Sequence, residues 1–406
     1  MARVLVIGGG IAGTATALAL HKAGFDATVY EAHPDSAADI GAFLTLAGNG
    51  MRALAQLDAS AMVTALGFPL TSMRVLDRTG AETAHVPLGD ADDPRLRYRC
   101  LRRGDLNTAL QRETGARGIT VRHGARLTAI DDGPRGVTAR FSDGSTATGD
   151  LLIGADGLRS TVRPIVAPDT RPRHAGQHVF YGYTGTAPVT APGECITMVR
   201  GSAVAFGHTV SPRGETYWFA RVAGDPLTAD EIAAATPDMC RAQLLPLLRA
   251  DTTPAADIVA ATGEELMVTD ATELPPGTPW RAGRVLLVGD AAHAASPATG
   301  QGASMALEDA VVLAKCLRDA PGTEAALSLY ETLRRPRTEH NTTVSGNISR
   351  GTHTASPAAR AAAASRRTGD DGELVRLLEW DADILRTAQA VQAAQAAQGP
   401  VEEGQG

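Results

Sequence analysis

Residues 3–31, RVLVIGGGIAGTATALALHKAGFDATVYE, leave the chain few ways to fold. Val4 to Ile7 is an unbroken apolar run, the pattern of a parallel strand covered on both faces. Gly8, Gly10 and Gly13 follow as G-x-G-x-x-G. Ile11 to Ala23 then has helical composition, with Gly24 placed to end the helix. Ala27 to Tyr30 reads as a second strand, and Glu31 stands at its end. Each glycine has its own physical reason: Gly8 permits the tight turn, Gly10 lets the backbone approach a diphosphate, and Gly13 lets helix and strand pack closely. The first helical residues, Ile11 and Ala12, bring free N–H groups to an anion, and Glu31 can accept hydrogen bonds from a ribose. This unit predicts a dinucleotide with an adenosine ribose, and leaves NAD and FAD equally open.

Composition narrows the partners. The 406 residues suit two or three domains, and 44% hydrophobic with 20% charged content is ordinary for a globular chain. A net charge of −7 without a basic tract argues against nucleic acid and against a polybasic membrane anchor. Of the 38 basic residues only Lys22 and Lys315 are lysines, so a catalytic lysine has two candidates. Cys100, Cys195, Cys240 and Cys316 are far apart and read as reduced thiols, with no metal or disulfide framework. No signal peptide of the three-part form opens the chain, and no apolar stretch approaches the roughly 18 residues of a spanning helix. The expectation is a cytoplasmic protein with no membrane span.

A second nucleotide signal lies far along the chain. GRVLLVGD is another buried strand, ending at Gly289 and Asp290, where ligands sit in open α/β sheets. Pro297 follows, and then a helical segment begins at Gly300 and Gly302. A plain nicotinamide dehydrogenase has no need of this second strand. A flavin does, because it requires one site for ADP and another for the ribityl chain and ring.

With these residues in view, the sequence resembles the FAD-dependent aromatic hydroxylases, the single-component flavoprotein monooxygenases that include p-hydroxybenzoate hydroxylase and the tetracycline-inactivating enzymes. The resemblance covers residues 1 to about 350 and rests on four motifs in order. They are Gly8, Gly10, Gly13 and Glu31; RGDLNTAL with Arg103; GADGLRSTVR with Asp156; and Gly289–Asp290 followed by P-x-x-G-Q-G. It implies that Arg103 contacts the FAD diphosphate and ribityl region and that Asp156 belongs to a motif shared by FAD and NAD(P)H. It also implies that Asp290 bonds a ribityl hydroxyl, with Pro297, Gly300, Gly302 and Ala303 offering backbone to the ring. The implied chemistry belongs to the cofactor: NAD(P)H reduces FAD, O2 gives a C4a-hydroperoxyflavin, and one oxygen passes to an aromatic or other electron-rich substrate by hydroxylation or epoxidation. No catalytic side chain is therefore expected. His293 reads as a hydrogen-bonded loop residue, since geometry must come before pKa in assigning acid–base work.

The fold expected is α/β: a Rossmann-like FAD-binding domain (1–71, 99–172 and 276–350) with an inserted, mostly antiparallel β-sheet substrate domain (72–98 and 173–275). A hairpin around Thr79-Gly80 and alternating runs in 178–222 supply that sheet. A C-terminal helix and disordered tail fill 351–406. Candidate substrate residues are Tyr181, Tyr183, Met198, Arg200, Phe206, His208 and Phe219, of which alternation sends about half into the core. The loop 41–50, with Phe43 and Leu44, points to an apolar substrate, either aromatic or polycyclic. A monomer or weak homodimer is expected, with a place in natural-product tailoring or antibiotic modification. The rivals are a flavin oxidase or dehydrogenase without oxygen insertion and a non-catalytic flavin sensor. A flavin halogenase is disfavoured, because Trp218, Trp280 and Trp380 are isolated and neither lysine lies outside the two cofactor helices.

Overall fold

The computed structural model describes residues 2–36, 42–89, 93–188, 193–351 and 372–389. Its main sheet has six strands in the order Arg281–Ala282, Val285–Leu287, Leu151–Gly154, Arg3–Ile7, Asp26–Tyr30 and Thr120–Arg122. All pairings are parallel except the short hairpin at the Arg281 edge. Leu151–Gly154 is buried at every position, as a strand covered on both faces must be. The helices Ile11–Lys22 and Gly302–Asp319 pack together against this sheet and are buried along most of their length, the first largely apolar and the second burying Glu308, Asp309 and Lys315 as well.

A second sheet has seven strands, in the order Leu266–Glu273, Arg173–Thr184, Thr216–Ala223, Val204–Val210, Cys195–Arg200, Ser72–Asp77 and Glu82–Pro87. Only the pairing of Cys195–Arg200 with Ser72–Asp77 is parallel. The chain is thus an α/β protein with a Rossmann-like sheet and a second, mostly antiparallel one. The turn after Ser72–Asp77 is closed by Asp77, whose Oδ1 accepts from the backbone N–H of Thr79 at 2.8 Å. One face of the sheet carries Phe180, Val199, Phe206, Trp218 and Val222 into a core shared with the helices Pro237–Leu248 and Ala255–Ala260. The other face turns toward the first sheet.

Residues 41–50, read as a loop, are more regular than that. Phe43–Leu46 is a strand paired with Tyr98–Arg102, and Gly48–Gln56 is a helix, while Gly41 lies outside the described residues. The single C-terminal helix is also corrected. Residues 372–378 and 384–389 form two short helices with a break between them. Leu374, Leu377, Leu378, Ile384 and Ala388 join the main core. Lys315 fastens the break by donating from its buried Nζ to the Leu377 carbonyl at 2.7 Å, and Arg318 donates to the Trp380 carbonyl at 2.8 Å. The tail expected to be disordered lies outside the described residues. Among the described residues no helix is long and apolar enough to cross a membrane, and the four cysteines are buried and unbonded to one another.

Candidate flavin and substrate site

A cavity of about 2640 Å³ runs between the two sheets, larger than the ~300–1,000 Å³ typical of a small-ligand pocket. At one end it is lined by Gly8, Gly10, Ile11, Ala12, Glu31 and Arg126, and in its middle by Arg103, Asp156, Asp290 and Pro297 through Ala303. At the other end it is lined by the inner face of the seven-stranded sheet. Gly13 and Gly289 are not on its wall. They stand behind it, where Gly13 lies against the Gly8 carbonyl and Gly289 donates its N–H to Asp309 at 3.0 Å.

The first end fits a diphosphate. Gly8 has φ +108°, a conformation that favours glycine. Gly10 has ordinary φ, yet a Cβ there would meet nothing within 4 Å, so its backbone faces open cavity. The helix that starts at Ile11 has no side-chain cap, which leaves its first N–H groups for an anion. Glu31 is locked in place by the backbone N–H of His33 at 2.7 Å and that of Gly9, which fixes its carboxylate on the wall. Asp156 spends Oδ2 on the backbone N–H groups of Thr161 and Val162, while its buried Oδ1 has no partner within the chain. Asp156 as a residue lies on the cavity wall.

Adjacent arginines divide their tasks. Arg102 is committed to Glu215 and Glu265, each at 2.8 Å, and its guanidinium stacks 3.9 Å from the Tyr183 ring centre. Arg103 lies on the cavity wall.

Beneath Asp290 is a buried ion network. Asp309 accepts from Gly289 N–H, lies 2.5 Å from His293 Nε2, and accepts from Arg334 Nε at 2.8 Å. Glu308 accepts from Arg334 Nη1 at 2.5 Å and from Arg337 Nε at 2.9 Å. Arg334, Glu308 and Asp309 are 0% exposed. Burial alone would raise both carboxyls, but Arg334 with His293 on Asp309, and with Arg337 on Glu308, outweighs it and holds both below their ordinary values. His293 is 8% exposed and does not line the cavity. It is a structural link in this network, with its ring 5.3 Å from that of Trp280.

The register of the seven-stranded sheet sorts the substrate candidates. Met198 pairs with Gly207, Gly207 with Phe219, and Phe219 with Tyr181, so these share one face. Tyr181, Met198, Arg200 and Phe219 line the cavity. Phe206 and His208 do not, which corrects the expectation for both: one residue out of phase, they point into the core below the sheet. Tyr183 is also displaced from the cavity, because the Arg102 guanidinium and the Phe43–Tyr217 cluster cover it. Burial and the nearby Arg74 pull His208 down to about 4, so it is a neutral buried imidazole.

Sequence reasoning missed Arg221, which shares the cavity face with Ala205 and Val179. It is 8% exposed, and its Nε and Nη1 have no partner within the chain. Tyr181 on the same face is pushed up to about 12 by burial, against the opposing influence of Arg103 and Arg221, and so stays a phenol. Arg126, Asn49 and Gln301 were also missed as wall residues. Gln301, inside the P-x-x-G-Q-G motif, and Asn49, inside the 41–50 segment, were the two with a local signal.

The described residues include one group with ligating chemistry, His174, His178 and Asp270, whose donor atoms lie within 4.8 Å of one another. His178 and Asp270 face away from the cavity, and each imidazole has one backbone partner, while His174 Nε2 and Asp270 Oδ1 have no hydrogen-bond partner. Gly176 N–H donates to His174 Nδ1 at 3.2 Å, and His178 Nε2 lies 2.6 Å from the Asp225 carbonyl.

A βαβ nucleotide unit, a second seat at Asp290 and a sheet roofing both define a flavoprotein of the one-chain hydroxylase type. The comparisons agree. The family model described as FAD binding domain matches residues 1–345. The aurachin C monooxygenase/isomerase of Stigmatella aurantiaca is 33% identical over 338 residues, covering 82% of this chain and 85% of that protein. The FAD-dependent urate hydroxylase of Klebsiella pneumoniae is 33% identical over 341 residues, covering 82% and 86%. The solved structure of Klebsiella pneumoniae HpxO complexed with FAD and uric acid has a TM-score of 0.78 at 28% identity, covering 97% of each chain. The chain belongs to the FAD-binding family of flavoprotein monooxygenases, and it is an FAD-dependent monooxygenase.

Proposed function

We propose that this enzyme uses NAD(P)H and O2 to place one oxygen on an aromatic, largely apolar substrate held against the seven-stranded sheet. Arg221 carries the reading: it is a cavity-wall residue whose guanidinium has two nitrogens, both buried, with no partner within the chain, so it has donors to spare for an acceptor that a small side-chain shift brings into reach. A phenolate, carboxylate or ring carbonyl of the substrate supplies one, and the phenol of Tyr181 adds a donor beside it. Phe43, Met73, Val75, Ile196, Met198 and Phe219 make the rest of that wall mainly apolar, with Arg200 a second guanidinium on it. Such a lining favours a mono- or polycyclic ring bearing a single polar edge, which is consistent with a place in natural-product tailoring.

In this reading FAD lies along the cavity. Gly10, Ile11 and Ala12 take its diphosphate, and Glu31 its ribose. Arg103 and Asp156 flank the chain, Asp290 takes the ribityl hydroxyls, and Pro297 to Ala303 face the ring. FAD, when bound, supplies the redox and oxygen chemistry. The protein orients ring and substrate, and the two sheets exclude water between them. The division into an FAD-binding part (1–71, 99–172, 276–350) and a substrate part (72–98, 173–275) is supported by the strand membership of the two larger sheets. The test is a panel of phenolic, carboxylated and neutral polycyclic aromatics, with NADH or NADPH consumption followed in air and products weighed. Gain of one oxygen on a ring with an acidic edge supports the proposal. Loss of hydrogen alone favours an oxidase or dehydrogenase, and no turnover with any reductant favours a sensor; either result counts against the proposal.

A further inference from the structure

We infer that Glu308 and Asn49 fix the Gln301 side-chain amide so that it donates, and does not accept, a hydrogen bond at the flavin seat. The inference rests on the seat proposed above. Gln301 directly precedes the helix Gly302–Asp319 and lines the cavity, as does Asn49, second residue of the helix Gly48–Gln56. The two helix starts are held tightly together. A Cβ on Gly50 would come within 2.7 Å of Ser304 Oγ, and Ala47 N–H donates to that same oxygen at 3.2 Å. The amides therefore have little room to rearrange.

Charge sets their direction. Glu308 is fully buried and ionised between Arg334 and Arg337. A carboxylate only accepts, so the end of Asn49 that meets it must be the NH2 group. Asn49 Nδ2 lies 2.6 Å from Glu308 Oε1, and the same NH2 reaches Gln301 Oε1 at 3.1 Å. One hydrogen goes to each. Gln301 thus spends its oxygen on Asn49, and its planar amide leaves the NH2 end on the other side. Turning Gln301 over would set two NH2 groups against each other, and turning Asn49 over would set a carbonyl against a carboxylate. The buried charge dictates the polarity of a group on the cavity wall through one intervening amide. A flavin pyrimidine ring offers two carbonyl acceptors and one N–H donor, and a donating Gln301 selects a carbonyl. Asn49 and Glu308 are positioning residues, acting through Gln301.

The experiment measures FAD dissociation constants and visible spectra of the purified holoenzyme and of Gln301→Ala, Gln301→Glu, Asn49→Ala and the double alanine variant. Gln301→Ala is expected to weaken FAD about 5–10-fold, the effect of one hydrogen bond. Gln301→Glu should weaken it at least about tenfold further, because an acceptor-only group replaces the donor. Asn49→Ala should cost about 3–10-fold alone and little in the Gln301→Ala background, the non-additivity of residues acting as a unit. Thermal melts of the FAD-free proteins should agree within a few degrees, which separates positioning from folding. Gln301→Glu binding FAD as tightly as the wild type would overturn the inference, as would an Asn49→Ala effect unchanged by Gln301→Ala. Asp290→Ala serves as the control for the seat. If it leaves FAD affinity unchanged, seat and inference fall together, whereas a normal Asp290 loss with silent Gln301 variants removes the inference alone.

Discussion

Replacing Arg334 by Met tests whether the flavin seat stands on the buried ion network. The substitution keeps most of the side-chain volume, so the cavity contribution is small, but it removes the donors to Asp309 Oδ1, Glu308 Oε2 and the Met305 carbonyl. Glu308 retains Arg337 and Asn49, and Asp309 retains His293 and Gly289 N–H. Breaking a fully buried pair in this way costs about 3–5 kcal/mol, roughly two to three and a half powers of ten in the folding equilibrium. The pH dependence gives the sign. Both carboxyls lie below their ordinary values of 3.8 and 4.5 in the folded protein, so their contribution is complete above those values and is lost as pH falls through the folded ones. Without Arg334 both carboxyls rise. The gap between variant and wild type should therefore be widest near pH 7 and narrow as pH approaches 4. Urea denaturation of the FAD-free proteins, followed by tryptophan fluorescence at several pH values, measures it. A cost below about 1 kcal/mol at pH 7, or one that grows on acidification, would refute the reasoning.

Three further outcomes follow from the geometry. Gly10→Leu should lower FAD affinity more than about tenfold with little change in the FAD-free melting temperature, since its side chain enters open cavity, whereas Gly13→Ala should destabilise the fold itself by overlapping the Gly8 carbonyl; paired FAD titrations and melts distinguish them. His208→Gln should leave substrate KM unchanged, since His208 faces the core. It should also relieve acid loss: the wild type loses stability from the ordinary value of 6.5 down to about 4, as the unfolded state takes up a proton that the folded imidazole refuses. Arg221→Met should raise substrate KM by about 10- to 100-fold while FAD affinity stays within about twofold, as expected for loss of a charged hydrogen bond to substrate alone; steady-state kinetics and FAD titration check both.

What the sequence disclosed depended on how local each signal is. Gly8 to Glu31 could be read directly, because strand, turn, helix and acid are contiguous and each glycine has a steric reason. The two larger sheets could be anticipated from alternating runs and apolar strands. Which face of an alternating strand looks at the ligand could not. Met198 and Phe206 are equally apolar, and only the register with neighbouring strands sends one to the cavity and the other to the core. Arg221 was hidden for the same reason, its meaning lying in its two partnerless nitrogens. Asn49 stands 252 and 259 residues from Gln301 and Glu308, so no periodicity joins it to that pair, which lie two helical turns apart on one face. Residues 379–383 carry no proline or glycine to mark a break in the C-terminal helical segment. At the break, Lys315 and Arg318 donate to the carbonyls of Glu379, Trp380 and Ala382, partners that are distant in sequence.

The central claim is transfer of one atom of O2 to an aromatic held under Arg221. It is tested most directly by turnover of the holoenzyme under isotopically labelled dioxygen, with an acidic aromatic substrate found from the panel and NADH or NADPH as reductant. The account predicts a product carrying one labelled oxygen, formed with the wild type and lost with Arg221→Met at the same substrate concentration. A product that carries no label, with the dioxygen recovered as hydrogen peroxide, would contradict it.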